Sequence, residues 1–210
     1  MRSLEFHFDF GSPNAYLAHR AIPQIEARTG AQFSYVPVLL GGVFKATNNV
    51  SPMVALKGIR NKPEYATIAT RRWLERYGIE PYQPNPHFPV NTVKIMRGAL
   101  VAKAGGYFAA YVEAVFGQLW EQGQKMDDPE VIASNLEAAN LPAAEIMAGI
   151  ERPEIKQQLI ANTERSVAMG NFGSPTFFLD EEIYFGKDSL RDLEDALLAD
   201  AGRQAPSAEH

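Results

Sequence analysis

The sequence predicts an α/β fold in which a large all-helical insert divides a small β-sheet into two parts. A strand, a helix and a second strand are indicated within the first 40 residues, and a β-hairpin followed by a helix is indicated after residue 170. Between these parts the apolar residues recur at helical spacing, with no internal repeat. We therefore expect one compact unit organised around this sheet.

The first strand is indicated by strict alternation of apolar and polar residues. The apolar set is Leu4, Phe6, Phe8 and Phe10, and the polar set is Glu5, His7 and Asp9. A period of two is typical of a strand with one apolar face.

A helix follows directly, with Ser12 as its N-cap, Pro13 at the first helical position and Gly30 as its stop. The second strand is predicted over 33–40, where Pro37 indicates an irregular or exposed edge. A helix between two strands with short links predicts a parallel pair joined by a right-handed crossover.

The middle of the chain has the pattern of a helical insert. A loop or short helix is indicated over 41–49, and a proline-rich extended segment over 81–89. Helices are predicted over 63–77, 91–103, 107–122, 129–139, 142–149 and 153–169.

The β pattern returns in the last forty residues. Two strands over 175–180 and 182–185 predict a hairpin, and a helix is predicted from Asp188 or Ser189 to about Ala201. This order, β-α-β, helices, then β-β-α, is that of a thioredoxin-like sheet interrupted by helices. We assign 1–40 and 171–201 to the thioredoxin-like domain, 41–170 to the helical insert domain and 202–210 to a flexible tail.

Composition limits the possible functions. The formal net charge is −5 and the pI is near 5.4, so the chain has no basic surface for nucleic acid or an anionic membrane. No apolar run approaches the roughly 18 residues of a membrane span, and the first residues are not a signal peptide. The chain has no cysteine, which excludes disulfides, thiolate nucleophiles and zinc-thiolate sites, and we expect no metal centre. We expect a cytoplasmic enzyme or binding protein with a small-molecule or protein partner.

The tripeptide Gly-Ser-Pro occurs at 11–13 and again at 173–175. In a thioredoxin-like sheet these two points lie next to each other, and the second proline is expected to be cis, with the main chain before it free to pair with a peptide. For Ser12 alone an ordinary N-cap is the simpler interpretation. The two tripeptides together on this topology favour a functional site.

A hydrolase with Ser12 as nucleophile requires a nearby base. His19 lies about 10 Å along the helix and His7 lies back along the strand, so neither reaches the hydroxyl. His87 could approach only through the fold, and Gly-x-Ser-x-Gly is absent. We interpret the histidines as structural or solvated.

Residues 8–17, Phe-Asp-Phe-Gly-Ser-Pro-Asn-Ala-Tyr-Leu, resemble the opening of the 2-hydroxychromene-2-carboxylate isomerase family, in the DsbA-like, kappa-class glutathione transferase branch of the thioredoxin superfamily. The resemblance extends, in order, through residues 41–45, 87–92, 120, 172–177 and 185–188. It implies a glutathione-dependent isomerase that interconverts 2-hydroxychromene-2-carboxylate and trans-o-hydroxybenzylidenepyruvate, or a related unsaturated ketoacid, in aromatic degradation. It also implies a homodimer, and it explains the absent cysteines, because glutathione supplies the thiol.

The resemblance also implies the roles of individual residues. Ser12 is the catalytic residue, whose hydroxyl holds the thiolate. The glutathione-binding set is Ser12, Asn49, Lys62, Ser174, Pro175, Gly186, Lys187, Asp188 and Ser189, and the substrate-binding set is Lys45, Asn48 and Phe88. For Lys62 and Lys45 a solvated lysine is an open alternative, and either Asn48 or Asn49 could face the site.

Two alternative functions remain open at this point. A kappa-like glutathione transferase or peroxidase would use the same thiolate for conjugation. A redox-inactive thioredoxin-fold binding protein or chaperone would have no affinity for glutathione.

Overall fold

The structure is a computed structural model that describes residues 2–204, with side chains as far as residue 199. Its sheet has the strand order β2-β1-β3-β4, with β1 at Leu4–Phe8, β2 at Ser34–Pro37, β3 at Thr176–Leu179 and β4 at Glu182–Phe185. β1 is parallel to β2 and antiparallel to β3, and β3 forms a hairpin with β4. The predicted α/β class and thioredoxin-like order are confirmed, and β2 is an edge strand, as Pro37 indicated.

The helices follow the predicted pattern closely. They are α1 (Pro13–Thr29), α2 (Leu40–Thr47), α3 (Pro52–Ala55), α4 (Lys62–Tyr77), α5 (Val93–Gly105), α6 (Phe108–Trp120), α7 (Pro129–Ala138), α8 (Ala143–Gly149), α9 (Pro153–Ala168) and α10 (Leu190–Gln204). No helix among the described residues is long and apolar enough to cross a membrane.

Three boundaries differ from the predictions. β2 ends at Pro37 and α2 begins at Leu40, so the predicted second strand is too long. The last helix is preceded by a 3-10 turn at Lys187–Ser189 and continues to Gln204. It therefore includes the first three residues of the predicted flexible tail, and residues 205–210 of that tail lie outside the described residues.

β1 has one apolar face, formed by Leu4, Phe6 and Phe8 as predicted, but its opposite face is largely buried as well. His7 and Asp9, which alternate with the phenylalanines, are 0% and 1% exposed. β1 lies between β2 and β3, and α9 covers the face that carries His7, which contacts Ser166 of that helix. His7 in β1 and Asp9 just after it are therefore buried and need hydrogen-bond partners.

One aromatic core joins the sheet to the helices. The ring centroids of Phe10 and Phe116 are 4.8 Å apart, and those of Phe6 and Phe177 are 5.1 Å apart. The Trp120 indole N–H donates to the Phe10 carbonyl oxygen at 2.8 Å. Edge-to-face and stacked pairs of this kind add about 0.5–1.5 kcal/mol each beyond their burial. The core thus fixes Phe10, which lies in the turn between β1 and Ser12.

Candidate active site

Ser12 is the N-cap of α1, and its hydroxyl connects the two Gly-Ser-Pro segments. Its backbone is extended (φ −93°, ψ 115°), and Pro13 begins the helix. Its Oγ accepts a hydrogen bond from the Ala15 amide at 3.2 Å and donates one to the Ser174 carbonyl oxygen at 2.8 Å. Because the side chain is almost fully buried at a helix N-terminus, the hydroxyl occupies a position that favours negative charge.

The second Gly-Ser-Pro lies beside the first, as predicted, and the Ser174–Pro175 peptide bond is cis. The Ser174 hydroxyl accepts a hydrogen bond from the Asp9 amide at 3.2 Å. The Pro175 carbonyl oxygen accepts one from the Gly186 amide at 2.9 Å. Main-chain and side-chain bonds thus attach this loop both to the start of α1 and to the segment that leads into α10.

Asp9 is a site residue that the sequence analysis missed. Its carboxylate accepts hydrogen bonds from the Gly11 amide and from the Leu40 amide, both at 2.8 Å. The first bond fixes the turn into Ser12. The second supplies an acceptor at the start of α2, where the N-cap residue Leu39 makes no side-chain cap. The predicted topology could have revealed the burial of Asp9. A central strand that is covered by helices on both faces buries its polar residues as well as its apolar ones.

Burial raises the pKa of Asp9 above the usual range of an aspartate, and the hydrogen bonds from Leu40, Gly11 and Thr92 oppose that shift. Thr92 also limits the space beside the turn, since a Cβ on Gly11 would lie 3.0 Å from the Thr92 methyl group. The turn before Ser12 is therefore closely packed, and it contains a carboxyl group whose pKa is raised by burial.

His7 supports the second tripeptide and does not act on Ser12. Its Nδ1 is 2.7 Å from the Ser166 hydroxyl and its Nε2 is 2.7 Å from Glu5, while burial lowers its pKa. Asn171 donates to the same Ser166 hydroxyl and accepts a hydrogen bond from the Gly173 amide at 2.8 Å. This buried network positions the loop that carries Ser174.

No histidine among the described residues hydrogen-bonds to the Ser12 hydroxyl, whose partners are Ala15 and Ser174. His19 lies between the Tyr35 hydroxyl and Glu113, at 2.9 Å from each. The described geometry therefore provides Ser12 with no histidine base of the hydrolase type.

The segment before α10 combines a buried cation with an exposed carboxylate. Lys187 is 7% exposed, and its Nζ lies 4.5 Å from the centroid of the Trp73 ring and 2.7 Å from an oxygen of Asp188. The Asp188 side chain is 78% exposed. The Ser189 hydroxyl donates to the Gly186 carbonyl oxygen at 2.7 Å. Since the Gly186 amide donates to the Pro175 carbonyl oxygen, this segment lies beside the loop of the second tripeptide.

The structure separates the roles of the two asparagines after α2. Asn48 caps the helix in a left-handed conformation, at φ 54°. The Asn49 side-chain amide donates to the Phe172 carbonyl oxygen at 2.8 Å, so it is Asn49 that reaches the loop of Ser174. Phe172 and Phe185 form an exposed aromatic pair beside this loop, with ring centroids 4.2 Å apart, which the sequence analysis did not single out as part of the site.

Three predicted residues make no hydrogen bond to Ser12 within the described part of the chain. Lys62 is exposed at the start of α4, and no hydrogen bond joins its described side chain to Ser12. Phe88 is half-buried and packs on Trp120, with ring centroids 5.8 Å apart. Lys45 lines a cavity between α2, α5 and α9. Their predicted roles in ligand binding stay predictions.

The comparisons with known proteins agree with this geometry. The family model of the DSBA-like thioredoxin domain matches residues 3–198. A 2-hydroxychromene-2-carboxylate isomerase of Pseudomonas putida is 30% identical, over 92% of this chain and 93% of its own length. A solved structure of a 2-hydroxychromene-2-carboxylate isomerase superposes with a TM-score of 0.84 and 26% identity, covering 98% of this chain and 99% of that one.

A more distant relative is a kappa-class glutathione S-transferase of Caenorhabditis elegans, 22% identical over 92% of this chain and 90% of its own. The family model and the isomerase relatives both extend over nearly the whole chain, and the solved isomerase structure has the same overall fold. The chain therefore belongs to the 2-hydroxychromene-2-carboxylate isomerase family, within the DSBA-like thioredoxin-domain proteins.

Proposed function

We propose that this protein is a glutathione-dependent isomerase that interconverts 2-hydroxychromene-2-carboxylate and trans-o-hydroxybenzylidenepyruvate, or a related unsaturated ketoacid. The observation that carries the proposal is the Ser12 hydroxyl, which caps α1 and meets the Ser174 carbonyl in a chain without cysteine. The isomerase relatives support the reaction class, and the kappa glutathione transferase relative supports glutathione as the source of the thiol.

Ser12 and α1 can supply the stabilisation that a bound thiolate requires at neutral pH. Lowering a thiol pKa from about 8.5 to about 7 requires roughly 2 kcal/mol. A helix N-terminus contributes about 0.3–1 kcal/mol, or up to about 2 when partly buried, and a hydrogen bond to a charged group contributes about 1.5–3. The hydroxyl that donates to Ser174 would donate to the sulfur instead, so Ser12 acts as a hydrogen-bond donor.

Bound glutathione would supply a thiolate that adds reversibly to the unsaturated ketoacid, permits rotation about the former double bond and leaves by elimination. The chain's own residues hold the reacting atoms in place. The Ser12 hydroxyl would donate a hydrogen bond to the sulfur without transferring its proton. The carboxylate of Asp9 accepts a hydrogen bond from the Gly11 amide and so fixes the turn that orients this hydroxyl.

The other residues proposed to bind glutathione belong to the loop before β3 and to the segment before α10. The main chain of Ser174, immediately before the cis-proline Pro175, is proposed to pair with the cysteinyl part. Asp188 and Ser189, with Gly186 and Lys187, are proposed for the γ-glutamyl end, where an exposed carboxylate can bind an ammonium group.

Asn49 and Lys62 are also proposed to contact glutathione. Asn49 is supported by its bond to the Phe172 carbonyl, which places it at the loop of Ser174. For the ketoacid we propose Asn48 and Phe88, with Lys45 as the candidate for its carboxylate.

A kappa-like transferase or peroxidase is the second candidate, and the relative from Caenorhabditis elegans favours it. Such an enzyme would use the same thiolate and transfer glutathione to an electrophile or peroxide. The two candidates differ in the acceptor and share Ser12. A cytoplasmic location and a homodimeric state are part of the proposal for the isomerase.

Two experiments test the proposal in sequence. Calorimetric titration with glutathione should give a binding isotherm at or below millimolar ligand, and no heat at that concentration contradicts any glutathione-dependent function and favours a redox-inactive binding protein. Absorbance of the chromene acid is then followed with and without glutathione. Isomerisation that requires glutathione supports the proposed reaction, whereas consumption of glutathione into a stable conjugate supports the transferase.

A further inference from the structure

Asn171 lies two residues before Gly173 and is fully buried, so its side chain cannot touch a ligand. Its side-chain oxygen accepts hydrogen bonds from the Gly173 amide at 2.8 Å and from the Thr176 hydroxyl at 2.9 Å. A backbone amide can only donate, so the atom that faces Gly173 must be the oxygen. The orientation of the side-chain amide is thereby fixed, and its nitrogen donates to the Ser166 hydroxyl at 2.7 Å.

The hydroxyl of Ser166 has a single hydrogen to donate, and the direction of that hydrogen follows from its neighbours. Ser166 is fully buried on α9, and its side chain bonds to Asn171 and to Nδ1 of His7, the latter at 2.7 Å. Thr163 on the same helix donates to the Leu159 carbonyl one turn earlier, but within the described part of the chain Ser166 makes no such bond. Because Asn171 is itself a donor, the Ser166 hydroxyl donates to His7.

His7 continues this sequence of donors and acceptors. Its Nε2 is 2.7 Å from the carboxylate of Glu5, which also accepts from Arg165 at 2.7 Å. Burial opposes the ionisation of Glu5, but the hydrogen bonds from Arg165 and His7 outweigh it and lower the pKa of this carboxyl. An ionised carboxylate can only accept, so Nε2 carries a hydrogen. Since Nδ1 accepts from Ser166, the ring is neutral, in agreement with the burial that lowers the pKa of His7.

These contacts form one directed chain of hydrogen bonds, in which each residue donates to the next: Gly173, Asn171, Ser166, His7 and Glu5. Aligned hydrogen bonds in a buried environment polarise and strengthen one another. The chain begins at the amide immediately before Ser174, whose carbonyl oxygen accepts from the Ser12 hydroxyl. It therefore holds the main chain next to the point where glutathione is proposed to bind.

We propose that Asn171 is a positioning residue for glutathione binding, which acts through the Gly173 amide and sets the affinity for the peptide part of glutathione. The proposal rests on the proposed function, because it requires glutathione to pair with the main chain of Ser174. It also assigns the ring of His7 as the neutral tautomer with its hydrogen on Nε2. Activation of the thiol belongs to Ser12, whose described side-chain partners do not include Asn171.

Nitrogen-15 magnetic resonance of the labelled full chain at neutral pH tests the direction of the chain. The ring signals of His7 are assigned by their absence in His7→Gln. The spectrum should show a hydrogen on Nε2 and none on Nδ1. A hydrogen on Nδ1, alone or together with one on Nε2, overturns the directed chain. This measurement needs no ligand, so its result does not depend on the proposed function.

Calorimetry with glutathione and with S-methylglutathione tests the positioning role. Asn171→Leu, a change of similar shape, should weaken the binding of both ligands by the same factor, roughly two- to tenfold, because the anchor of the main chain is lost. Ser12→Ala should weaken glutathione more than S-methylglutathione, since only the first offers a thiolate. At saturating glutathione, kcat for the isomerisation should change by less than about twofold in Asn171→Leu, whose thiolate donor is intact.

Further variants separate this role from a general loss of structure. Asn171→Asp should recover most of the affinity, because the introduced carboxylate still accepts from Gly173 and Thr176. Asn135→Leu on α7, where the side-chain amide contacts the Met126 sulfur, is the matched control and should leave both affinities unchanged. Circular dichroism shows whether each variant is folded.

Ser166→Ala provides a second cut in the chain if Asn171→Leu does not fold. It removes the partner behind Asn171 and leaves the Gly173 bond in place, so both affinities should fall by about two- to threefold. Unchanged affinity in Asn171→Leu, or in Ser166→Ala where only that variant folds, overturns the positioning role.

Failure of this inference can be distinguished from failure of the proposed function. A wild type that binds no glutathione contradicts the proposed function and the positioning role with it. A wild type that binds glutathione no better than Asn171→Leu contradicts the positioning role alone. A fall in kcat at saturating glutathione with unchanged affinity also contradicts it, because that result would assign Asn171 to activation of the thiol.

Discussion

The two Gly-Ser-Pro tripeptides have the same side chains and different structures. The first begins a helix, where Ser12 has an extended backbone and uses its hydroxyl to cap α1. The second precedes β3, where the Ser174–Pro175 bond is cis and the Ser174 carbonyl accepts the Ser12 hydrogen bond. The first tripeptide thus contributes the Ser12 side chain to the candidate site, whereas the second contributes the main-chain carbonyl of Ser174. Substitutions at matched positions can therefore separate the two roles.

The largest expected effect belongs to Ser12→Ala. The variant removes the donor to the thiolate, and a hydrogen bond to a charged group is worth about 1.5–3 kcal/mol, so kcat/KM for the isomerisation should fall roughly 10- to 150-fold. Loss of the N-cap should lower the free energy of unfolding by about 1 kcal/mol. Steady-state kinetics and urea denaturation measure the two quantities, and full activity in the variant would contradict the role of Ser12.

Asp9→Asn tests the two hydrogen bonds by which the Asp9 carboxylate holds the turn before Ser12. Asparagine has one side-chain acceptor oxygen, so it cannot replace both carboxylate bonds, and either the Gly11 or the Leu40 amide loses its partner. The free energy of unfolding should fall by about 1–3 kcal/mol. Asp192→Asn, in the first turn of α10, is the control and should change stability by less than about 0.5 kcal/mol.

The pH dependence of stability gives a second readout for Asp9. Burial raises its pKa in the folded state above the reference value of 3.8, so the folded protein binds this proton more tightly than the unfolded chain. Its contribution to stability is therefore complete below pH 3.8 and is lost as the pH rises through the raised pKa. Carboxylates such as Glu113, whose pKa is lowered by His19, have the opposite slope. The difference in unfolding free energy between the wild type and Asp9→Asn should thus vary with pH in the acid range, and a constant difference would contradict the shift.

The glycines of the two tripeptides should respond unequally to alanine. A Cβ on Gly11 would lie 3.0 Å from the methyl group of buried Thr92, whereas one on Gly173 would lie 2.8 Å from the half-exposed ring of Phe185, which can turn away. We expect Gly11→Ala to cost about 1–3 kcal/mol and Gly173→Ala less than about 1 kcal/mol. The double variant Gly173→Ala/Phe185→Ala should remove the smaller cost, and urea denaturation measures all four proteins. Equal losses of unfolding free energy in Gly11→Ala and Gly173→Ala would contradict the expected difference between a buried Thr92 and a half-exposed Phe185.

The smallest effect on activity is expected for Ser174→Ala. Its hydroxyl accepts a hydrogen bond from the Asp9 amide, but its carbonyl, which meets Ser12, is retained in the variant. The loss of stability should be about 1 kcal/mol. Activity should stay within about twofold of the wild type, and the same assay as for Ser12→Ala measures it. A loss of activity comparable to that of Ser12→Ala would show that the second serine also acts through its side chain.

Much of the fold could be predicted from local signals. The cap and first-turn residues of α1, the helical periodicities of the insert and the hairpin of β3 and β4 agree with the structure. These features depend on neighbours a few residues apart, where propensity and capping decide the conformation. The short α3 and the early end of β2 were not predicted, because element boundaries depend on packing that local sequence does not contain.

The candidate site was less predictable than the fold. The juxtaposition of the two tripeptides followed from the thioredoxin-like topology, and the hydrogen bond from Ser12 to Ser174 agrees with it. The buried carboxylate of Asp9 could not be predicted from alternation, because a period of two does not tell whether the polar face meets water or a helix. The burial of Lys187 over the Trp73 ring could not be predicted either, because the two residues are distant in sequence.

By itself the sequence determined that the protein has no thiol of its own, that a serine stands at the start of the first helix, and that strands flank a helical insert. Only the tertiary structure decided that Asp9 connects the Ser12 turn to α2 and that Asn49 reaches the loop of Ser174. The physical reason is the range of the interactions. Helix caps act over a few residues, whereas the partners of buried polar groups are brought together from distant parts of the chain by packing.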